Sequence, residues 1–243
     1  MLISIYSDST ALPRKTLTPL SDTWPHLLVT NLEEKLQQEV ILLNRSFGGY
    51  KLHELLSVFK LDMGYYYDDK SINQNNSKSI CIFTSGIVDG SPRPISYKLK
   101  MLDRVPFIGK CLSVKVVGFL HKFRPVIQQK FSYTPVKLDT FALNLSELGN
   151  VTKNLDVTLL LIETALPHEF LELRSPGITA SIKKFNATKK DIASRFNHFN
   201  YIEFGDSFRS DMYVSKEDGH HFNKEGHFFF YKKILDALLE LQK

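Results

Sequence analysis

Cysteine is scarce in this sequence: Cys81 and Cys111 are the only two in 243 residues, and their separation suits no zinc site. That excludes a disulfide framework and points to a reducing compartment. Long apolar runs are missing as well. Residues 112–120 and 157–165, the longest stretches, reach about half of the ~20 residues a membrane-spanning helix needs, and Lys115 interrupts the first. Met1-Leu2-Ile3-Ser4-Ile5-Tyr6 runs straight into Ser7-Asp8-Ser9 with no basic region, apolar core or cleavage site of an export signal, so a cytoplasmic setting is expected. Neither Gly-x-Ser-x-Gly nor His-Glu-x-x-His occurs, which removes the nucleophile elbow of the α/β-hydrolases and the zinc-protease helix.

What is present is ordinary globular composition, 43% hydrophobic and 23% charged, consistent with one domain over residues 1–243. Short β-type runs alternate with helical stretches, the pattern of βαβ units around a parallel sheet. The runs are residues 2–6, 39–43, 80–84, 157–162 and 201–204, all nearly continuous in apolar or β-branched residues, as buried parallel strands are. Helical spacing covers residues 50–59, 179–196 and 223–241, the last with Asn223 placed to cap its start. The expected fold is therefore α/β, a three-layer α/β/α sandwich with a central five-stranded parallel sheet of flavodoxin-like type. A polar loop is expected over residues 68–78. Residues 97–130 carry eight Lys or Arg against the single acid Asp103, which suits solvated faces or a basic lid for an anionic or lipid-linked substrate. No nucleic-acid motif accompanies that charge.

In an open parallel sheet ligands sit beyond the carboxyl ends of the strands. Those ends read Ser7-Asp8-Ser9-Thr10, Asn44-Arg45-Ser46-Phe47-Gly48-Gly49 and Ser85-Gly86-Ile87-Val88-Asp89, with Asp218-Gly219-His220-His221 following the fifth run. A serine hydroxyl becomes a nucleophile when a base takes its proton and a third group fixes that base's tautomer. Asp218 and His221, three residues apart, can supply both. His220 is expected to point away from His221, and His227 to face out of or cap the last helix, which argues against a metal site. Gly205-Asp206-Ser207 matches a Gly-Asp-Ser search, but it stands about a dozen residues before Asp218 and is read as structural.

Taken in order, Asp8-Ser9, Asn44-x-x-x-Gly48-Gly49, Gly86-x-x-Asp89 and Asp218-x-x-His221 resemble the SGNH/GDSL hydrolase family over nearly the whole chain. The last block, Asp218-Gly-His-His221-Phe-Asn-Lys-Glu-Gly226-His227, is the most specific, whereas Ser7 stands where the first block has glycine. Gly86-Ile-Val-Asp89-Gly-Ser-Pro92-Arg93-Pro94 and Ser9-Thr-Ala-Leu-Pro13-Arg14 look like a bacterial subgroup often linked to surface-polysaccharide gene clusters. The resemblance implies Ser9 as nucleophile, His221 as general base and then acid, and Asp218 as its orienter. It further implies an oxyanion hole from the N–H groups of Ser9 and Gly49, and substrate contacts by Asp8, Asn44, Asp89, Arg93 and Arg14. The family's oxyanion asparagine falls at Val88, which cannot donate, a loss worth about a hundred- to thousandfold in rate. Arg93, Asn44 and Ser85 are the expected substitutes.

The implied activity is removal of an O-acyl group, above all O-acetyl, from a carbohydrate or polysaccharide precursor, with no cofactor and no metal. Expected partners are an acylated sugar or a lipid- or nucleotide-linked glycan, with peripheral membrane association through the basic segment and no nucleic acid. An acyltransferase using the same triad and a non-catalytic carbohydrate-binding protein are the alternatives.

Overall fold

In the computed structural model, the described residues are 1–14, 18–67, 79–93, 123, 125–126, 133–155 and 157–241. The expected loop over 68–78 and nearly all of the basic segment 97–130 lie outside them. Five parallel strands, β1 (Leu2–Ser7), β2 (Ile41–Ser46), β3 (Ser79–Thr84), β4 (Val157–Ile162) and β5 (Phe199–Ile202), form one sheet in the order β2-β1-β3-β4-β5. The strand order reverses between β1 and β3, and that switch point opens the crevice where ligands bind in such sheets. β1 ends level with both neighbours, Ser7 pairing Ser46 on one side and Thr84 on the other.

Helices cover both faces, as expected. On one side pack α1 (Trp24–Leu36) and α8 (Lys224–Glu240), burying Trp24, Leu28, Phe230 and Ile234 against Ile3, Ile5, Ile80 and Ile82. On the other lie α2 (Leu52–Tyr66), α4 (Leu138–Thr152) and α6 (Ile178–Ala193), which bury Phe59, Phe141 and Phe185 against Tyr6, Phe83 and Leu161. Alternate residues of β1 thus feed opposite layers, the consequence of a period-two strand between two apolar surfaces. Short helices α3 (Ile87–Gly90), α5 (Glu169–Arg174) and α7 (Ser210–Tyr213) follow β3, β4 and β5 at the carboxyl edge.

Two strand boundaries differ from expectation. β2 spans residues 41–46 rather than 39–43, and β5 spans 199–202 rather than 201–204. Both are edge strands, and β2 is largely half-buried or exposed, so its apolar run does not mark the paired residues. Pairing with β1 decides them instead. Helix α1 had no counterpart among the expected elements, although Pro25 in its first turn and the buried spacing Trp24, Leu28, Leu32 are helix signals. Likewise α4 carries Phe141, Leu145 and Leu148 at helical intervals. Asn223 caps α8 as expected, its Oδ1 accepting from the Gly226 N–H at 2.8 Å.

Candidate active site

Chain direction at the end of β1 is set by Asp8. Its carboxylate accepts from the N–H and hydroxyl of Thr10 at 2.9 and 2.8 Å, closing a 3-10 turn over Ser9–Ala11 that lifts Ser9 above the sheet edge. Asp8 is itself buried, and both of its hydrogen bonds among the described residues close this turn.

The Asp218–His221 loop, which lies between α7 and α8, brings His221 against Ser9. A backbone bridge between Val214 and Phe222, with the Ser215 N–H on His221 O at 2.7 Å and the Gly219 N–H on Ser215 O at 2.9 Å, closes this loop tightly. Gly219 has φ of 80°, the left-handed conformation glycine adopts without strain, and a Cβ there would come within 2.9 Å of Leu171. Gly226 has a different reason to be glycine: a Cβ would lie 2.0 Å from the Tyr213 carbonyl oxygen. That approach docks α8 against the loop and fixes where His221 sits.

The resulting geometry is a relay of three side chains. His221 Nε2 lies 2.7 Å from Ser9 Oγ, and His221 Nδ1 lies 2.9 Å from Asp218 Oδ2. Asp218 Oδ1 also accepts from the N–H groups of His220 and His221 at 3.1 and 3.0 Å. Burial opposes ionisation of Asp218, but the hydrogen bonds from the His221 ring and from the two N–H groups outweigh it and hold the carboxyl well below the usual range. Asp218 therefore stays ionised, and an Nδ1–H directed at it leaves Nε2 free to accept the Ser9 proton. Arg14 completes the cluster, with Nη1 3.1 Å from Asp218 Oδ2.

Other expected site residues fall elsewhere. Gly49 lies in the turn after β2 with φ of 80° and open space where a Cβ would be. The Phe47 N–H binds Ser7 O at 3.0 Å, so this turn and Ser9 share one edge of the sheet. Asn44 is inside β2, paired in register with Ile5 and hydrogen-bonded to Ser46, because β2 runs three residues past its expected end. Asp89 is interior, 0% exposed, and accepts from the Leu52 N–H at 3.1 Å, so it anchors the start of α2. Arg93 is exposed and its backbone bridges to Tyr133. Val88 is buried with Ile87, Leu171, Ile178 and Ile182, so an apolar cluster occupies the place of the family's amide donor. Ser85 Oγ, buried and without a hydrogen-bond partner among the described residues, borders a cavity of about 20 Å³ shared with Asp8, Thr164 and His220.

Two histidine placements differ from expectation. His220 does not point away from His221: the rings stand 4.0 Å apart because the Gly219 turn folds them together. Donor atoms of Asp218, His220 and His221 fall within 4.8 Å of one another, close enough to hold an ion, yet Asp218 and His221 already serve Arg14, Ser9 and each other. Burial pushes His220 down to about 4, leaving it neutral near pH 7. His227 is buried rather than outward-facing, its Nδ1 accepting the Trp24 N–H at 3.2 Å, which couples α8 to α1. Ser207 is in a 3-10 turn and donates to Phe204 O at 2.8 Å.

Among the described residues no helix is long and apolar enough to cross a membrane. No family model and no curated protein matches the chain in sequence. Solved structures do match in shape. A lipase/acylhydrolase from Enterococcus faecalis superposes with a TM-score of 0.60 at 15% identity, over 98% of this chain and 94% of that one. An acetylxylan esterase from Geobacillus stearothermophilus gives 0.59 at 14% identity, over 97% and 92%. A protein described as lipolytic, of the G-D-S-L family, from Desulfitobacterium hafniense gives 0.53 at 15%, over 96% and 98%. With its parallel β2-β1-β3-β4-β5 sheet between two helical layers, the chain has the α/β fold of the SGNH/GDSL hydrolases.

Proposed function

We propose that the protein is a serine ester hydrolase in which Ser9, His221 and Asp218 form the catalytic triad. The observation that carries this reading is the unbroken Ser9–His221–Asp218 relay, 2.7 and 2.9 Å per link, at the switch point of the sheet. Ser9 Oγ attacks the ester carbonyl as its proton passes to His221 Nε2. The tetrahedral oxyanion is met by the N–H groups of Ser9 and Gly49. His221 then protonates the leaving alcohol, and in the second half-reaction takes a proton from the water that releases the acid. Asp218 stabilises the imidazolium throughout, and Arg14 keeps that carboxylate oriented.

The substrate class proposed is an O-acetylated sugar or polysaccharide precursor. Acetylxylan esterases among the proteins of like fold support that choice, as does the Gly86-Ile-Val-Asp89-Gly-Ser-Pro-Arg93 sequence. Hydrolysis of an aryl acetate, with a serine-reactive phosphonate and intact mass as a second readout, tests the reading. An adduct on Ser9 and loss of turnover in Ser9→Ala are expected. Turnover that survives Ser9→Ala overturns it.

A further inference from the structure

Behind the relay lies a buried cation. Lys189, on the inward stripe of α6 with Ile182, Phe185 and Ile192, is 0% exposed. Its ammonium donates to Ile162 O, the last carbonyl of β4, at 2.8 Å and to Thr164 Oγ1 at 2.7 Å. Thr164 in turn donates through Oγ1 to Ser85 O at 2.6 Å, and its backbone is gripped by Asn186 through both N–H and C=O. Gly86 makes this chain of contacts fit: with φ of 120°, a Cβ would stand 2.5 Å from Thr164 Oγ1 and 3.5 Å from Lys189 Nζ. The ammonium thus fastens the turn after β3 to the end of β4, at the sheet edge from which Ser9 rises.

Three carboxylates on different elements act on this ammonium through space, without a direct ion pair: Asp89 in α3, Asp8 after β1 and Glu163 after β4. Glu163 is engaged with the Phe204 N–H at 2.6 Å and Asn186 Nδ2 at 3.4 Å, and His221 also faces Asp8. Burial pushes Asp8 and Asp89 up, Asp89 to about 7; the Thr10 hydrogen bonds on Asp8 and the Leu52 N–H on Asp89 oppose this first, and the Lys189 ammonium adds to them in both. Buried carboxylates are tolerated only when an opposite charge or hydrogen bonds compensate them. Asp8 forms the Ser9 turn and Asp89 anchors α2, so their ionisation matters to the site.

We propose that Lys189 is a positioning residue for the ester chemistry: its ammonium ties β4 to the Ser85–Gly86 turn and balances Asp8 and Asp89, the carboxylates that hold the Ser9 turn and the start of α2. This rests on the Ser9 reading above.

The test compares the full-length parent with Lys189→Met, Thr164→Val and the double variant Lys189→Met/Asp89→Asn. Aryl acetate hydrolysis is followed against pH, and urea unfolding is measured from about pH 5 to about pH 8. Lys189→Met is expected to lower kcat about ten- to hundredfold with KM little changed, as misplacement of a nucleophile does. Its acid limb should move to higher pH, because Asp8 and Asp89 keep their protons longer. Thr164→Val, which cuts the link to Ser85 with little change of shape, should lower kcat less. Asp89→Asn in the Lys189→Met background should restore part of the loss.

Buried acids that hold protons in the native state lose stability as pH rises, so the urea midpoint of Lys189→Met should fall further below the parent toward about pH 8. A parental kcat and pH profile in Lys189→Met, or a urea gap that is constant with pH, overturns the proposal. A parent without turnover would instead sink the Ser9 reading, while the urea gap still decides whether Lys189 balances the carboxylates.

Discussion

Two aspartates at the carboxyl edge of the sheet are held in opposite ways. Asp218 is 24% exposed, accepts hydrogen bonds from groups two and three residues away, and is kept below the usual carboxylate range. Asp89 is 0% exposed, accepts from Leu52, 37 residues away, and is pushed up to about 7. A tight turn can solvate a charge by itself, because its own N–H groups converge on one oxygen. A buried carboxylate must borrow its compensation from elements brought together only by folding, and here that includes the Lys189 ammonium. The surface turn carries the groups proposed to react; the interior cluster holds the turns that position them.

The sharpest way to separate the two regions is to remove the reacting atoms alone. Ser9→Ala should cut ester turnover by about a thousandfold or more while urea and thermal unfolding stay parental; coupled loss of fold would erase the distinction. Asp218→Asn should follow, at about a thousandfold, since an amide no longer fixes the His221 tautomer.

Gly226→Ala should act on position rather than on chemistry. A methyl group cannot occupy the 2.0 Å gap to the Tyr213 carbonyl. It should destabilise the fold by about 1–3 kcal/mol and reduce turnover through displacement of His221, as read by urea midpoint and kcat.

Acid unfolding sharpens the comparison further. The depressed pKa of Asp218 contributes stability above about pH 4 that is lost as pH falls through its native value. Asp89 has the opposite sign: the native state holds its proton between about 4 and about 7, so stability falls as pH rises through that window. Asp89→Asn should flatten the curve between about pH 5 and about pH 7, and Asp218→Asn only the part below about pH 4.

The smallest effects should come from the rim. Arg14, a third exposed, should cost about two- to fivefold in kcat/KM on replacement by alanine, the scale of a partly solvated ion pair. Ser207→Ala should leave turnover unchanged, because its hydroxyl only closes its own turn on Phe204.

What could be read in the sequence follows a simple physical line. Features whose cause is local were legible: the apolar runs that became β1, β3 and β4, the Asn223 cap, and the Asp218-x-x-His221 turn, where a carboxylate three residues before a histidine can reach its ring. Val88 was legible as a departure because a side chain without N–H cannot donate, whatever surrounds it.

The rest depended on partners distant in the chain. Paired registers placed β2 and β5, since edge strands are chosen by their neighbours more than by their own apolar residues. Lys189 is one of several lysines in its helix, and only the packing of α6 against the sheet turned that one inward onto Ile162 O and Thr164 Oγ1. Trp24 likewise drew His227 inside, and the Gly219 turn brought the His220 ring against that of His221 at a tilt of 47°. Sequence alone singled out the residues proposed to react, because nucleophile, base and orienter are properties of single side chains and short turns. Tertiary structure alone decided which charges are buried together, because the cost and compensation of burial exist only once separate elements close over them.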